Sequence, residues 1–389
     1  MNPDEFSNSP TGRIIQTLQG VSAFLPNPLP PPFLDIGSLA RPLERATLAL
    51  GQLSGIGQTL PNPHLLIRPF KRVEAVASSK IEGTVTTLPE LLMLEVEKNA
   101  QNARSDTREV RNYTFALDHG LKRLKDLPVS KRLVQEMHKI LLTNVNPDRG
   151  AHFVPGEFKK DQNWIGARLI QNARYVPPPP THTMTCMDDL EKYIHSDSSA
   201  PLLVQLALIH YQFEAIHPFP DGNGRVGRLL IPLILCEKKA LTQPLLYLST
   251  FFEKHYDKYI DLMLNVSKSG QWEKWIEFFL QGVASSANNA IKKSTQLQEL
   301  HKEFLGKVRS ARASGLLAKL VDELFDVPAT TVPHAMKDLN ISYNSAKNNL
   351  KKLKDLGIIR EGEKNVRPQW YFSDQIMQVS FRENDETTD

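Results

Sequence analysis

Apolar residues recur at intervals of three and four over most of the 389-residue chain. This spacing places them on one face of a helix and predicts a mainly α protein. The apolar run Ala46–Leu53 predicts a helix that is broken by a loop at Gly51–Gly57, because glycine weakens helices. Further helices are predicted at 73–81, 89–100, 108–124, 130–145, 184–195, 201–216, 223–239, 250–268 and 271–290.

Two stretches depart from the helical pattern. Residues 1–33 are polar and then rich in proline, which predicts a flexible tail. Between residues 150 and 180, the segments 164–166 and 173–176 predict the two arms of a β-hairpin, which the prolines at 177–180 follow.

Composition narrows the classes of function only in part. A net charge of +4 neither requires nor excludes a polyanionic partner. Cys186 and Cys236 are far apart and in no metal-ligand spacing, so they predict neither a disulfide nor a zinc site and suit a reducing compartment. The N-terminus has no signal region, and no stretch reaches the ~18 apolar residues that a membrane helix needs. The chain is therefore predicted to be cytoplasmic, without membrane contact.

The segment from His217 to Arg228 has the sequence HPFPDGNGRVGR. The pattern predicts that one helix ends near Ile216 and that the next begins near Asn223, which puts Gly222 and Gly224 at a helix N-terminus. Free backbone N–H groups bind anions there, and glycine lets a ligand approach the backbone closely. These residues predict a phosphate-binding loop.

The charged residues of this segment agree with that interpretation. Arg225 and Arg228 are one helical turn apart, so both guanidinium groups can face the same polyphosphate. Asp221 would repel phosphate by itself but would become a ligand if Mg²⁺ lay between them. His217 is the side chain here that can take a proton near neutral pH, so it is the candidate general base.

Each feature alone has a simpler interpretation. A histidine before a proline is usually a turn residue, and Gly-Asn-Gly is usually a tight turn. Two arginines at this spacing usually form a solvated face. Together, however, the features form the set that a metal–triphosphate site requires.

The segment also resembles a known family. It matches, at each specified position, the signature H-x-F-x-[DE]-G-N-G-R-x-x-R of Fic proteins, and the similarity extends over about residues 34–285. It includes residues 155–158 and 164–166 upstream. The resemblance implies a helical core with a small β-hairpin flap. It also implies transfer of AMP from ATP to a hydroxyl of a target protein, with release of pyrophosphate.

The resemblance implies a role for each matched position. His217 would deprotonate the target hydroxyl, Arg225 would contact the α- and β-phosphates, Arg228 would pair with the γ-phosphate, and Asp221 would hold Mg²⁺. Where the family often has arginine, this chain has Lys159. The implied nucleotide-binding residues are Gly222, Asn223, Gly224, Arg225, Val226, Gly227 and Arg228, with Tyr259 in the adenine pocket. The implied flap residues, which align the target chain by strand addition, are Trp164, Ile165, Gly166 and Tyr175.

A second motif lies upstream, at Ser78, Glu82 and Gly83. By itself it is typical of a surface helix end, with Ser78 and Glu82 on one face and Gly83 as a cap. It is also similar to the inhibitory motif [ST]-x-x-x-E-[GN] of the family. That resemblance implies that Glu82 pairs with Arg228 and so keeps the γ-phosphate from binding productively.

Beyond residue 313, three short helices and two strands around a basic turn predict a winged-helix domain. The third helix carries four lysines that suit either DNA phosphates or protein docking, and its simplest role is as a solvated helix. These lysines are Lys347, Lys351, Lys352 and Lys354.

The resulting domain prediction has six parts: a flexible tail (1–33), an N-terminal helical region with the inhibitory helix (34–125), a Fic catalytic core (126–290), a helical connector (291–312), a winged-helix domain (313–375) and an acidic tail (376–389).

The predicted function is protein adenylylation with ATP and Mg²⁺, on a serine, threonine or tyrosine hydroxyl of a target protein or of the chain itself, inhibited by Glu82. Two alternatives stay open. One is another transfer at the same site, or removal of AMP. The other is a nucleotide-sensing regulator that binds DNA. The resemblance makes a homodimer plausible.

Overall fold

The computed structural model describes residues 1–59, 64–97, 104–145, 154–311, 315–363 and 367–381. Most of these residues are helical, as predicted. The helices are α1 (Ala40–Thr59), α2 (His64–Ile81), α3 (Leu88–Glu97), α4 (Ser105–Arg123), α5 (Lys131–Leu141), α6 (Pro180–His195), α7 (Leu202–Ile216), α8 (Asn223–Glu237), α9 (Ser249–Lys254), α10 (Tyr256–Ser269), α11 (Trp272–Ser310), α12 (Gly315–Asp326), α13 (Val332–Leu339), α14 (Tyr343–Asp355) and α15 (Asp374–Phe381).

Two small antiparallel sheets complete the described fold. Strands β1 (Gly12–Gln16) and β2 (Ser22–Pro26) form a hairpin. Strands β3 (Ala329–Thr331), β4 (Arg360–Glu361) and β5 (Trp370–Phe372) form a second sheet in the order β3-β5-β4. None of the described helices is both long enough and apolar enough to cross a membrane.

Helices α7 and α8 lie at the centre of the core. Nearly all side chains of both are buried, which explains why the apolar residues of α7 surround the helix instead of forming one stripe. Burial on all sides fixes both helices in place. The loop that joins them, residues 217–222, is therefore held by two rigid elements.

The predicted loop at Gly51–Gly57 is wrong. Helix α1 continues through these glycines to Thr59 and packs along α11, with Ala46, Leu50 and Leu53 in the core. Tertiary packing outweighs the weak helix propensity of glycine here.

The prediction of a flexible tail for residues 1–33 is also wrong. Phe6, which precedes the hairpin β1–β2, and Phe24 of β2 are buried, and their rings pack on Tyr175 of the predicted flap. The N–H of Phe24 donates to the carbonyl of Val176 at 2.9 Å. The many prolines of the segment obscured a short hairpin whose aromatic residues belong to the core.

The C-terminal region contains the predicted helices and strands, at α12, α13, α14, β4 and β5, together with the unpredicted β3 and α15. The predicted connector 291–312 is not a separate element, because its described residues continue α11 from Trp272 to Ser310. The predicted acidic tail (376–389) begins within the fold, because Ile376 of α15 is buried. Residues 382–389 of that tail lie outside the described residues. The assignment as a winged helix stays a prediction.

Candidate active site

The loop between α7 and α8 has the bounds that the sequence predicts. Helix α7 ends at Ile216, and His217 adopts a left-handed conformation with φ 48° that turns the chain. Helix α8 begins at Asn223, with Gly222 as its N-cap residue. The first backbone N–H groups of α8 are therefore free to bind an anion, as at other helix N-termini.

Asn223 holds the loop closed through its buried side chain. Its Oδ1 accepts from the N–H of Phe219 at 2.8 Å, and its Nδ2 donates to the carbonyl of the same residue at 2.7 Å. The ring of Phe219 is fully buried. The side chain of Asn223 is thus occupied by the loop, and what it offers a ligand is its backbone.

His138 of α5 packs against the loop and forms a hydrogen bond to its backbone. Its ring stacks on Phe219 with the centroids 3.8 Å apart. Nδ1 accepts from the N–H of Gly156 at 2.8 Å, so Nε2 carries the proton and donates to the carbonyl of Asp221 at 2.9 Å. Burial lowers the pKa of His138 to about 4, so this neutral tautomer persists at pH 7.

Lys159 and Asn163 hold the loop from the flap side. Nδ2 of Asn163 donates to the carbonyls of His217 and Phe219, both at 2.9 Å. The Lys159 ammonium donates to Oδ1 of Asn163 at 2.8 Å and to the carbonyl of Ile216 at 3.2 Å. Burial lowers the pKa of Lys159 to about 7. Lys159 therefore supports the backbone of the loop directly, through Ile216, and indirectly, through Asn163.

The imidazole of His217 is poised to accept a proton. Nδ1 lies 3.3 Å from the carbonyl of Glu214, which accepts its proton and leaves Nε2 with a lone pair. Burial and the nearby charge of Lys159 lower the pKa of His217 to about 4. The ring is therefore neutral at pH 7, as a general base must be.

Arg225 is buried and faces the core. Its guanidinium pairs with Glu109 of α4, and both side chains are almost fully buried. Nη2 lies 3.4 Å from Oδ1 of Asp221, which also accepts from the N–H of Gly222 at 2.6 Å. The structure thus brings Arg225 and Asp221 together, with Glu109 as an additional partner.

Arg228 is bound by the second motif. Its Nε donates to Oγ of Ser78 and its Nη2 to the carbonyl of Ser78, both at 2.9 Å. Nη2 also pairs with Oε1 of Glu82 at 2.7 Å. Burial raises the pKa of Glu82 and the charge of Arg228 lowers it; the net pKa is below the ordinary value, so the pair is ionised.

Helix α2 ends where this contact requires it. Gly83 has φ 78°, and its N–H donates to the carbonyl of Lys80 at 2.9 Å, which makes it the cap that the sequence predicts. The chain turns away immediately after Glu82. The carboxylate is therefore at the end of α2 and projects toward the N-terminus of α8.

The Glu82 carboxylate lies directly against Gly224. A β-carbon on Gly224 would be 3.1 Å from the carboxyl carbon of Glu82 and closer still to Oε1. The first turn of α8 therefore already faces an anion, because this carboxylate occupies the space that an absent side chain leaves.

A cavity of about 240 Å³ opens beside this contact, between the flap, α7 and α10. His217, Glu82, Arg228, Tyr259 and Glu214 are among its lining residues. Burial raises the pKa of Glu214 to about 8, with Arg228 opposing the shift, so this carboxyl is mostly protonated at pH 7. The cavity is thus a polar space that joins the candidate base to the candidate phosphate site.

Tyr259 is buried in the wall of this cavity. Its hydroxyl lies 2.8 Å from Nε2 of His210, and its ring stacks on Phe252 with the centroids 4.4 Å apart. His210 also contacts the carbonyl of Gly227 at 3.2 Å. Tyr259 therefore offers a ligand only a ring edge or face. Val226 and Gly227 are buried in α8, and a β-carbon on Gly227 would meet Phe213 at 3.1 Å.

The predicted hairpin is smaller than expected. Ile165 and Tyr175 form a single antiparallel bridge, and Gly166 turns the chain with φ 86°. Trp164 is 38% exposed. The side chain of Tyr175 is buried and donates to the carbonyl of Ala215 at 3.0 Å, so it supports the flap from inside.

No group of three or more His, Cys, Asp or Glu side chains among the described residues is arranged to hold a metal ion. A magnesium ion that takes most of its ligands from phosphates and water needs only one or two carboxylates. The partly exposed carboxylate of Asp221, beside the free N–H groups of α8, fits that role.

Several site residues escaped the sequence analysis: Glu109, His138, Asn163, Glu214 and His210. Glu109 had a detectable signal, because it shares a helix face with the apolar residues Tyr113, Ala116 and Leu117. The others have no local pattern that distinguishes them.

Comparison with known families agrees with this geometry. Residues 40–122 match the family model "Fic/DOC family N-terminal", and residues 128–235 match "Fic/DOC family". The chain is similar to "Protein adenylyltransferase Fic" of Drosophila virilis, with 29% identity over 160 residues, or 40% of this chain and 30% of that protein. It is 27% identical to the protein of the same name from Culex quinquefasciatus over 56% of this chain and 43% of that protein. The matches thus span less than half the length of these relatives.

Solved structures show the same fold. A Fic family protein from Desulfovibrio desulfuricans G20 superposes with a TM-score of 0.57 at 20% identity, over 89% of this chain and 98% of that one. A fragment of Fic-1 from C. elegans has a TM-score of 0.50 at 18% identity, over 66% and 74% of the two chains. With both family regions and this fold, the chain belongs to the Fic/DOC family.

Proposed function

We propose that this protein transfers AMP from ATP to a hydroxyl of a protein. The observation that carries the proposal is the position of Glu82, a carboxylate held against Gly224 and Arg228 at the N-terminus of α8. The carboxylate lies where a triphosphate would bind, against residues that follow the neutral His217 by 7 and 11 positions along the chain. The names of the curated relatives support the same activity.

Residues of this chain can accept the proton of the target hydroxyl and can stabilise the negative charge of the phosphates. Nε2 of His217 takes the proton of the target hydroxyl, whose oxygen then forms a bond to the α-phosphorus. The bond from that phosphorus to the β-phosphate oxygen breaks, and pyrophosphate leaves. The free N–H groups at the start of α8, with Arg228, stabilise the phosphate charge as it shifts, and Arg225 holds Glu109 and Asp221 beside them. Bound Mg²⁺, held by Asp221, would neutralise part of that charge.

We further propose that Glu82 inhibits this reaction in the resting protein. Arg228 already makes three hydrogen bonds to α2, to Oγ and the carbonyl of Ser78 and to Glu82. A γ-phosphate would have to displace the carboxylate, which also repels it. ATP therefore binds in an unproductive position while α2 stays in place.

The test is transfer of label from α-labelled ATP to protein, with Mg²⁺ present. Three proteins are compared: the wild type, Glu82→Gly, and Glu82→Gly combined with His217→Ala. We expect strong labelling of the protein or of added candidate targets in the single variant alone. Labelling that is equal in the wild type and Glu82→Gly would contradict the inhibition. Removal of AMP, the alternative, predicts that Glu82→Gly loses activity toward a labelled protein.

The C-terminal region supports a second, subordinate role in docking. The four lysines of α14 are exposed, and one of them, Lys354, pairs with Glu361 at 3.0 Å. Such a face suits contact with DNA phosphates without base recognition. Binding of the full chain to duplex DNA that weakens steeply with salt is expected if so, and no binding at low salt would end this proposal.

A further inference from the structure

Helix α2 packs both against the core around α8 and against the C-terminal region, which comprises α12 to α15 and the second sheet. Glu74, Ser78 and Glu82 are spaced by four residues and so share one face of α2. Glu74 accepts from the hydroxyl of Tyr113 in α4 at 2.9 Å. Ser78 and Glu82 bind Arg228 in α8. The inhibitory contact is therefore at the C-terminal end of a face that the core holds.

A neighbouring face of α2 is attached to α12. Arg68 pairs with the carboxylate of Asp326, which is the last residue of α12. Arg72, one turn further along α2, donates to the backbone carbonyl of Asp326, and its Nη2 is 3.8 Å from Oδ1 of the same residue. The last carbonyls of a helix have no partner within it, so Arg72 caps α12 in addition to pairing with its last side chain.

Arg72 is a buried cation, with 4% of the residue exposed. Its Nε and Nη2 also donate to Oε2 of Glu95 in α3, at 2.8 and 2.6 Å. Helix α3 is in turn joined to the C-terminal sheet, because Leu92 and Val96 share an apolar cluster with Trp370. A buried charge that loses its partners is strongly destabilising. Helix α2 therefore leaves this position only if Arg72 loses these partners or takes α3 and α12 with it.

Arg72 and Glu82 belong to the same stretch of helix. Pro69, the proline inside α2, precedes Arg72, and the helix continues from there to Ile81. Glu82 follows Arg72 by 10 positions, which corresponds to about 15 Å along the axis. A rigid helix transmits a displacement from one end to the other. The position of Glu82 is therefore tied to that of Asp326.

We propose that the C-terminal region holds α2 in the inhibitory position, so that AMP transfer is released when α12 separates from α2. This regulation rests on the proposed function. The contacts of Asp326 require α2 to lie against α12. They therefore stabilise the state in which Glu82 occupies the phosphate site over any state in which α2 has moved away. A partner that competes with α2 for the Asp326 end of α12 activates the enzyme.

The attachment of α2 is tested first, because it does not depend on activity. Native-state hydrogen exchange of the full chain compares the wild type with Asp326→Ala and with the matched control Asp322→Ala. Asp322 lies one turn earlier on α12 and pairs with His301 of α11 at 2.7 Å. We expect the amides of residues 74–81 to exchange about fivefold faster or more in Asp326→Ala, since couplings of this kind start near that size.

The control and two core helices set the limits of this result. Exchange in α7 and α8 should be unchanged in Asp326→Ala, and exchange in α2 should be unchanged in Asp322→Ala. Equal exchange of α2 in all three proteins would overturn the proposal. An increase that is uniform along the chain would also overturn it, because it would show general destabilisation and not release of one helix.

Arg68→Ala removes the same contact from the side of α2. The side chain of Arg68 is 46% exposed, so its loss leaves no buried charge in that helix. Faster exchange of α2 is expected again. In the double variant Arg68→Ala, Asp326→Ala the two effects should combine to less than their product, because both changes remove one contact. Effects that multiply fully would mean that the two residues act independently, against the proposal.

Regulation is tested by labelling with α-labelled ATP. Asp326→Ala should raise the initial rate of AMP transfer about fivefold or more over the wild type, and Asp322→Ala should leave it unchanged. In the Glu82→Gly background, Asp326→Ala should have no further effect, because the carboxylate that α12 holds in place is gone. An unchanged rate for Asp326→Ala beside an active Glu82→Gly would refute the regulation. If Glu82→Gly itself is inactive, the proposed function fails, and the exchange data still decide whether α12 holds α2.

Discussion

Arg225 and Arg228 are one turn apart on α8, yet their carboxylate partners differ in kind. Glu109, the partner of Arg225, is 1% exposed and belongs to α4 in the middle of the core. Glu82, the partner of Arg228, is 30% exposed and is the last side chain before the cap of α2. One ion pair is enclosed on all sides and the other borders a cavity.

This difference in exposure means that the Arg225–Glu109 pair is a structural contact, whereas the Arg228–Glu82 pair can be broken without burying a lone charge. Taking away Glu109 leaves the buried Arg225 with only the more distant carboxylate of Asp221, 3.4 Å away, and with little access to water. Taking away Glu82 opens Arg228 to water or to a phosphate, which replaces the lost partner. Two similar arginines in one motif thus have different functions because of what surrounds their partners.

The largest effect is expected from Glu109→Gln. Breaking a buried pair typically costs about 3–5 kcal/mol, so thermal unfolding should shift down by many degrees. The matched control is Glu303→Gln on α11, which breaks an exposed pair with Lys307 and should cost about 1 kcal/mol or less. A similar melting temperature for both variants would show that the two kinds of pair do not differ as described.

The next effect is expected from Glu82→Gly. Release of Arg228 should raise AMP transfer about 10- to 100-fold, since hydrogen bonds to charged groups contribute about 1.5–3 kcal/mol. The isosteric Glu82→Gln removes the charge and keeps the volume, so it should give an intermediate rate. Initial rates at saturating ATP measure both. A rate for Glu82→Gln equal to the wild type would mean that bulk, and not charge, excludes the phosphate.

A smaller effect is expected from Gly224→Ala. In the wild type the new methyl group would meet the Glu82 carboxylate and Nη1 of Arg228, so the variant should be less stable by about 1 kcal/mol or more. In the Glu82→Gly background much of that cost should disappear, which gives a coupling energy of about 0.5–3 kcal/mol in a double-mutant cycle. Strictly additive melting data would place Glu82 away from Gly224.

The smallest effect is expected from pH. Because the pKa of His217 is lowered to about 4, the base stays neutral as the pH falls from 8 to 6. The labelling rate of Glu82→Gly should therefore change less than about twofold in that range and fall only as the pH approaches 4. Removing Glu82 lowers the pKa of His217 further, which acts in the same direction. An acid limb near pH 6.5 would show that the imidazole is solvated.

The site could be predicted where it depends on local sequence. The bounds of the loop between Ile216 and Asn223, the cap at Gly83 and the approach of Glu82 to Arg228 all agree with expectation. These features could be predicted because helix periodicity, glycine conformation and a recognised motif are each readable within about a dozen consecutive residues. The residue roles themselves remain predictions.

The rest depends on contacts between distant parts of the chain. Asn163 reaches the loop carbonyls across 54 residues, and Glu109 reaches Arg225 across 116. Helical periodicity describes only neighbouring residues, so it cannot predict contacts at such separations in sequence. The hairpin of residues 12–26 was missed for a related reason, because Phe24 and the preceding Phe6 pack on Tyr175, about 150 residues further along the chain.

Helix α11 has a mechanical consequence. Its 39 residues span about 58 Å without interruption. Trp275, near its start, donates to a carbonyl of α7, and Phe304, near its end, packs on Phe325 of α12. A flexible tether would let the two ends of the protein diffuse independently. A continuous helix instead fixes the distance and the angle between them. A movement of the C-terminal helices is therefore transmitted along α11 to the residues that pack against α7.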